Sequence, residues 1–214
     1  MYKALIADDH PLFRAALRQA ITSLFEAGIE EVGDFNATLN ILEKMDFDIV
    51  FLDLHMPHHQ GLEGVLKIRQ HFPNTLCVIV SAEESLDIVH KAMQLGASGF
   101  IPKSSDLDTI ATATQHILLG EDWIPAHLPH TSVLNDTMQN FAQRLATLTP
   151  TQIIVLEYMS AGLLNKQIAY QLAISESTVK HHSSAVLKKL GLNNRTQAGV
   201  LYKQFMEIPE PSLS

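Results

Sequence analysis

Residues 47–53 read Phe47-Asp48-Ile49-Val50-Phe51-Leu52-Asp53, a nearly continuous apolar run that stops on a carboxylate. A strand with one wet face alternates apolar and polar residues, so this run belongs to a strand covered on both faces. Leu76-Cys77-Val78-Ile79-Val80 has the same character. The two read as central strands of a parallel sheet. Working outwards, five strands are expected at 3–8, 31–35, 47–53, 75–81 and 99–101. Amphipathic stretches at 11–27, 37–45, 61–71, 86–95 and 107–119 separate them as helices. Such alternation predicts an α/β domain, a five-stranded parallel (βα)5 sheet between two layers of helices.

Beyond this domain, over 1–122, the pattern changes. Residues 123–135 carry no Asp, Glu, Lys or Arg and include Pro125, His127, Pro129 and His130, the composition of a linker. Leu134, Met138, Phe141 and Leu145 are spaced by four, three and four. They predict a helix over 133–146, which is counted with the linker (123–146), although its periodicity does not say which domain it joins. From 147 to 208 the pattern is all-α, with four helices at 150–161, 165–172, 176–190 and 196–205, followed by a tail at 209–214.

The chain has 214 residues, 46% of them hydrophobic and 18% charged, enough apolar material for two packed cores. Its net charge of −8 conceals an asymmetry. Residues 1–130 hold 18 acids against 8 bases, whereas 147–206 hold 2 acids against 6 bases. An acidic body therefore carries a basic module suited to a polyanion, although a solvated surface can show the same modest surplus. Cys77 is the only cysteine and sits in a core run, so no intrachain disulfide forms and a reducing cytoplasm fits. Two acids arrive before a leader's apolar core can form, and no stretch approaches a membrane span. No membrane partner is expected.

Ligands of open parallel sheets bind beyond the carboxyl ends of the strands, where strand order reverses. Asp8 and Asp9 end the first strand, Asp53 the third and Ser81 the fourth, and Lys103 follows the fifth. In the strand order 2-1-3-4-5, three carboxylates converge. Like charges in one cleft call for protons or a hard cation bound through oxygen, and Mg²⁺ suits carboxylates that leave room for a phosphoryl group. Lys103 would offset the remaining charge, and Asp53, alone on the central strand, is the candidate nucleophile. Taken singly, each acid is equally a helix cap. His55, His58 and His59 lie beside the pocket without a completing ligand set, so they read as an exposed loop and not a transition-metal site.

These residues resemble a bacterial two-component receiver domain, a flavodoxin-like fold: Asp8-Asp9-His10, Asp53-Leu54-His55-Met56-Pro57 with Gly61, Ser81-Ala82, and Ala97-Ser98-Gly99-Phe100-Ile101-Pro102-Lys103. The resemblance implies that Asp53 accepts a phosphoryl group from a sensor histidine kinase. It implies that Asp9, Asp53 and the backbone carbonyl of His55 bind Mg²⁺, with Asp8 acting mostly through water. It also implies a switch in which Ser81 moves toward the phosphoryl oxygens and Phe100 turns inward.

In the helical module, Thr149-Pro150-Thr151-Gln152 is a capping box with proline at the first helical position. Ser175 would cap the helix at 176–190. A helical wheel places Val179, His182, Val186 and Leu190 on one side and Ser177, Lys180, His181, Ser184 and Lys188 on the other. The polar side suits the major groove. The signature runs from Leu148-Thr149-Pro150 through Asn165-Lys166-Gln167-Ile168-Ala169 and Thr178-Val179-Lys180 to Asn194-Arg195-Thr196-Gln197-Ala198. It resembles the LuxR-type helix-turn-helix. That resemblance implies groove contacts from Lys180, His181 and Ser184 on double-stranded DNA, with Lys166, Lys188 and Arg195 nearer the backbone. It further implies a homodimer on DNA through Ala198, Leu201 and Phe205.

Together the two halves resemble a NarL/FixJ-type response regulator, a phosphorylation-controlled transcription factor whose only chemistry is its own phosphorylation and dephosphorylation. Two other readings are weighed. A Mg²⁺-dependent aspartyl-phosphate phosphatase or phosphotransferase of the dehalogenase kind would carry Asp-x-Asp after its first strand, where this chain has adjacent aspartates. A regulator whose helical domain binds protein would fail to shift DNA.

Overall fold

The computed structural model describes residues 1–57, 59–128 and 136–206. The described residues form two compact units, one ending at 128 and one beginning at 136.

In the first unit, β1 (Ala4–Ala7), β2 (Ile29–Val32), β3 (Ile49–Asp53), β6 (Leu76–Ser81) and β7 (Gly99–Pro102) make one parallel sheet in the order β2-β1-β3-β6-β7. A two-residue hairpin, β4 (His55–Met56) with β5 (His59–Gln60), follows Asp53. The helices are α1 (Pro11–Ile21), α2 (Phe35–Leu42), α3 (Glu63–His71), α4 (Leu86–Gln94) and α5 (Leu107–Leu118). Every residue of β1, β3 and β7 is buried, as the apolar runs require. On one face Ile6, Phe51, Val78, Val80 and Ile101 pack with Leu17 and Ile21 of α1 and Ile110 and Ile117 of α5. Phe25 meets Phe51 edge-on at 6.4 Å. On β6, burial pushes the Cys77 thiol up to about 12, so it stays protonated and unreactive.

Several boundaries differ from the sequence expectation. β2 lies two residues earlier, because the Asp34 carboxylate accepts from the Ala37 N–H at 2.9 Å and caps α2. Phe35 thus opens a helix instead of closing a strand. α1 stops at Ile21 and tightens into a 3₁₀ turn at Thr22–Leu24, short of residue 27. α3 starts at Glu63 because residues 59–60 pair back onto 55–56.

The segment after α5 begins on the sheet. Trp123 bridges Gly99 at the outer edge of β7, its carbonyl accepting from the Phe100 N–H at 2.8 Å. A Cβ on residue 99 would run into Ile117 and crowd the Trp123 carbonyl. The bare Cα of Gly99 gives room for both close approaches.

The second unit comprises α6 (Asp136–Leu145), α7 (Pro150–Ser160), α8 (Asn165–Leu172), α9 (Glu176–Leu190) and α10 (Arg195–Met206). Residues 133–135 of the expected helix, the histidine at 58 and the tail at 209–214 lie outside the described residues. α6 packs against α9 and α10, with Phe141 and Phe205 5.9 Å apart, so it is part of this core. The capping box forms: Gln152 N–H donates to Thr149 Oγ1 at 3.4 Å and Thr149 N–H to Gln152 Oε1 at 3.0 Å. Ala173 ends α8 in the left-handed conformation, φ 52°, and turns the chain into α9, where Ser175 accepts from Thr178 N–H at 3.1 Å.

Candidate phosphoacceptor pocket and nucleic-acid interface

Neighbouring strands β1 and β3 end side by side, which brings Asp8, Asp9 and Asp53 into one cleft. Asp8 and Asp53 are buried and Asp9 is half-buried. Lys103 follows β7, where its N–H donates to the Ser81 carbonyl at 2.8 Å. From there its Nζ lies 2.8 Å from Asp53 Oδ2 and 2.7 Å from Asp8 Oδ2. The His55 N–H donates to Asp53 Oδ1 at 3.2 Å, and the His10 N–H to Asp8 Oδ1 at 2.7 Å.

Burial raises the Asp53 carboxyl above its ordinary value, against the hydrogen bond and positive charge of Lys103, and the charge of Asp8 adds to the rise. Three carboxylates against one ammonium leave a surplus of negative charge. One ligand atom from each of Asp8, Asp9, His10 and Asp53 lies within 4.8 Å of the others, a spacing able to take a metal ion. The oxygen-rich set fits a hard divalent cation.

His10, read from the sequence only as a member of the Asp8-Asp9-His10 motif and given no role there, also stands in the pocket. Its Nδ1 lies 2.6 Å from Asp9 Oδ1 and 3.5 Å from Lys103 Nζ. Arg14 donates to the Asp8 carbonyl at 2.6 Å, and Phe13 lies beneath the Lys103 ammonium at 5.1 Å. All three stand in or beside the first turn of α1, directly after the paired aspartates. Their signal was position, not residue type. Ser81 is buried at the end of β6, where its Oγ accepts from the Glu83 N–H at 3.1 Å. Phe100 is already fully buried.

On α9, Val179, Val186 and Leu190 are buried, whereas Ser177, Lys180, His181, Ser184 and Lys188 are exposed. Lys180 pairs with Glu176 one turn earlier at 3.3 Å. Such an exposed pair contributes ~0–1 kcal/mol. Lys166 is exposed on α8. Arg195, expected near the DNA backbone, is also engaged within the unit. Its guanidinium bonds the Leu163 carbonyl and Asn165 Oδ1, tying the start of α10 to the start of α8.

The stripe expected to form the dimer is largely covered within this unit. Ala198 and Phe205 are fully buried and Leu201 is half-buried. Gly199 brings α10 so close to α7 that a Cβ would lie 3.1 Å from Ser160 Cα, and Phe205 is covered by Phe141. Val200 is the apolar side chain that α10 exposes, at 59%.

Residues 4–115 match the family of response regulator receiver domains, and residues 146–202 match the luxR family of bacterial regulatory proteins. The chain is 42% identical over 206 residues to a glycerol metabolism activator of Pseudomonas putida, covering 92% of this chain and 93% of that protein. It is 32% identical over 207 residues to the nitrate/nitrite response regulator protein NarL of Escherichia coli K12, covering 94% of each. Among solved structures it is similar to RcsB of Salmonella enterica serovar Typhimurium bound to the rprA promoter with a phosphomimetic, at a TM-score of 0.56 and 24% identity, covering 96% and 98%. That likeness supports the two-part fold.

Proposed function

The chain belongs to the response regulators that join a receiver domain to a LuxR-type DNA-binding domain, and from that premise we propose that Asp53 is its phosphoacceptor and a sensor histidine kinase its donor. The observation that carries this reading is the buried Asp53 carboxylate at the end of the central strand, with Lys103 at 2.8 Å and two further aspartates beside it. A carboxylate oxygen of Asp53 attacks the phosphorus. The bond from phosphorus to the donor's imidazole nitrogen breaks, and the electron pair leaves with the imidazole. Lys103 turns from the carboxylate to the arriving phosphoryl oxygens, and Ser81 Oγ hydrogen-bonds them after releasing the Glu83 N–H.

Asp8, Asp9 and Asp53, with the backbone carbonyl of His55, would hold Mg²⁺, which when bound offsets the charge on the phosphoryl oxygens. The phosphoryl group, with its added negative charge, biases the receiver between two states, and Phe100 takes part in that switch. Lys180, His181 and Ser184 enter the major groove of a promoter, with Lys166 and Lys188 on the backbone, and two copies occupy one operator. The protein acts in the cytoplasm as a phosphorylation-controlled transcriptional regulator.

The reading is tested by adding acetyl phosphate and Mg²⁺ to the intact chain. Specific DNA binding is expected to tighten about 5- to 150-fold, the usual span of coupling between two sites. An affinity indifferent to phosphodonor would refute it. Lys180→Ala is expected to weaken specific binding by about 1–3 kcal/mol, the worth of one base-edge contact, with a somewhat flatter salt dependence because a cation is lost from the DNA-facing surface. An unchanged slope and affinity would take Lys180 out of the interface.

A further inference from the structure

The last carbonyls of a helix have no donor within the helix and need one from elsewhere. At the end of α9 the chain turns left-handed at Gly191, φ 67°, and the Leu192 N–H returns to the Leu187 carbonyl at 2.9 Å. The Leu190 carbonyl is met from outside. Arg144, in the last turn of α6, donates to it from Nη1 at 2.9 Å. A Cβ on residue 191 would collide with this guanidinium, so glycine is needed here for the approach of Arg144 as well as for its φ. The tie is returned from the other side. Lys189, on the last turn of α9, donates from Nζ to the Thr147 carbonyl at 2.8 Å and to Gln152 Oε1 at 2.9 Å. The lysine next to Lys188 is thus turned away from the polar face, back onto the segment that joins α6 to α7.

We propose that Arg144 is a positioning residue for DNA recognition, holding the far end of α9 so that Lys180, His181 and Ser184 meet base edges in register. The inference rests on the DNA-reading assignment of α9. Arg144 lies outside the residues matched to the luxR family, and it belongs to the helix that the linker enters. The cation also opposes the negative end of the helix dipole. Contacts to base edges tolerate a displacement of only about 0.5 Å, whereas a phosphate contact follows a moving lysine. Loosening the clamp should therefore cost specificity before it costs general affinity.

The test uses the full chain with Arg144→Met and Arg144→Lys. One duplex is enriched from a random pool by the wild type, and the other is a scrambled duplex of the same length. Arg144→Met is expected to lose about tenfold on the enriched duplex, the size of one mismatched base pair. Binding to the scrambled duplex, the salt slope and the melting temperature should stay close to wild type. Arg144→Lys should recover most of the loss, since an ammonium can donate to the same carbonyl. Faster amide exchange at residues 187–192 in Arg144→Met would locate the loosening. Equal affinity of wild type and Arg144→Met for the enriched duplex overturns the inference. So does a parallel loss on both duplexes with a flatter salt slope, which would make Arg144 a phosphate contact. A large fall in melting temperature without rescue by lysine would reduce it to a folding role. If the wild type enriches no duplex, the DNA-reading premise fails, and the inference with it.

Discussion

Asp53→Asn is expected to take up no phosphoryl group from acetyl phosphate, and its affinity for promoter DNA should not respond to the donor. An amide oxygen lacks the charge and the nucleophilicity of a carboxylate, and no neighbour can replace it. Asp8 is buried against Lys103, and Asp9 is held by the His10 ring. Intact-protein mass spectrometry reads the result directly, as a shift of one phosphoryl group in the wild type and none in the variant. Labelling of the variant at the wild-type rate would move the acceptor to another residue. The same variant carries a stability signature. Burial raises the Asp53 carboxyl, so the folded protein holds its proton more tightly than the unfolded chain does. The stability this provides is present below the unfolded value of about 3.9 and is lost as pH rises through the folded value. Asparagine has no such titration, so the variant's stability should change less than that of the wild type over this interval.

The parts of this pocket visible in the sequence were those marked by strand ends. An apolar run terminating in an acid reports both a covered strand and the residue at its mouth, which is why Asp53, Ser81 and the pair Asp8-Asp9 could be placed without coordinates. The edge strand β2 has no such mark. Ile29-Glu30-Glu31-Val32 carries two carboxylates, and the apolar Phe35 drew the expected strand past the Asp34 cap. The two-residue strands β4 and β5 are too short to show a period. The turn into α9 uses Ala173 where the conformation favours glycine, so residue type does not announce it. Ala198, Leu201 and Phe205 have the spacing of a buried face. Spacing cannot say whether a second copy or the chain's own Phe141 and Ser160 does the covering. The same holds for Arg144, whose role depends on a carbonyl 46 residues away.

Lys103→Met should destabilise the receiver by on the order of 3 kcal/mol at neutral pH, the low end for removing one partner of a buried ion pair. The low end applies because Asp9 and His10 open the pocket to solvent on one side. The loss arises because one ammonium serves two carboxylates, each with a side-chain exposure of 2%. Methionine keeps the chain length and the contact with Phe13 but leaves Asp8 and Asp53 facing each other uncompensated. Lys103 provides the largest effects that lower the Asp53 carboxyl, so without it the carboxyl rises further. The sign follows from that direction. The folded variant gains a proton more readily than the unfolded chain, so its stability recovers as pH falls and declines again as pH rises through the raised value. Urea denaturation at pH 7 and at pH 4.5 should show the gap to wild type narrowing at the lower pH. A divalent cation should stabilise the variant more than the wild type, because it replaces the missing positive charge. Phosphorylation by acetyl phosphate should fall by about 10²-fold or more, the usual cost of losing one charge-stabilising donor. A gap that stays constant across pH would mean that Lys103 acts through packing alone.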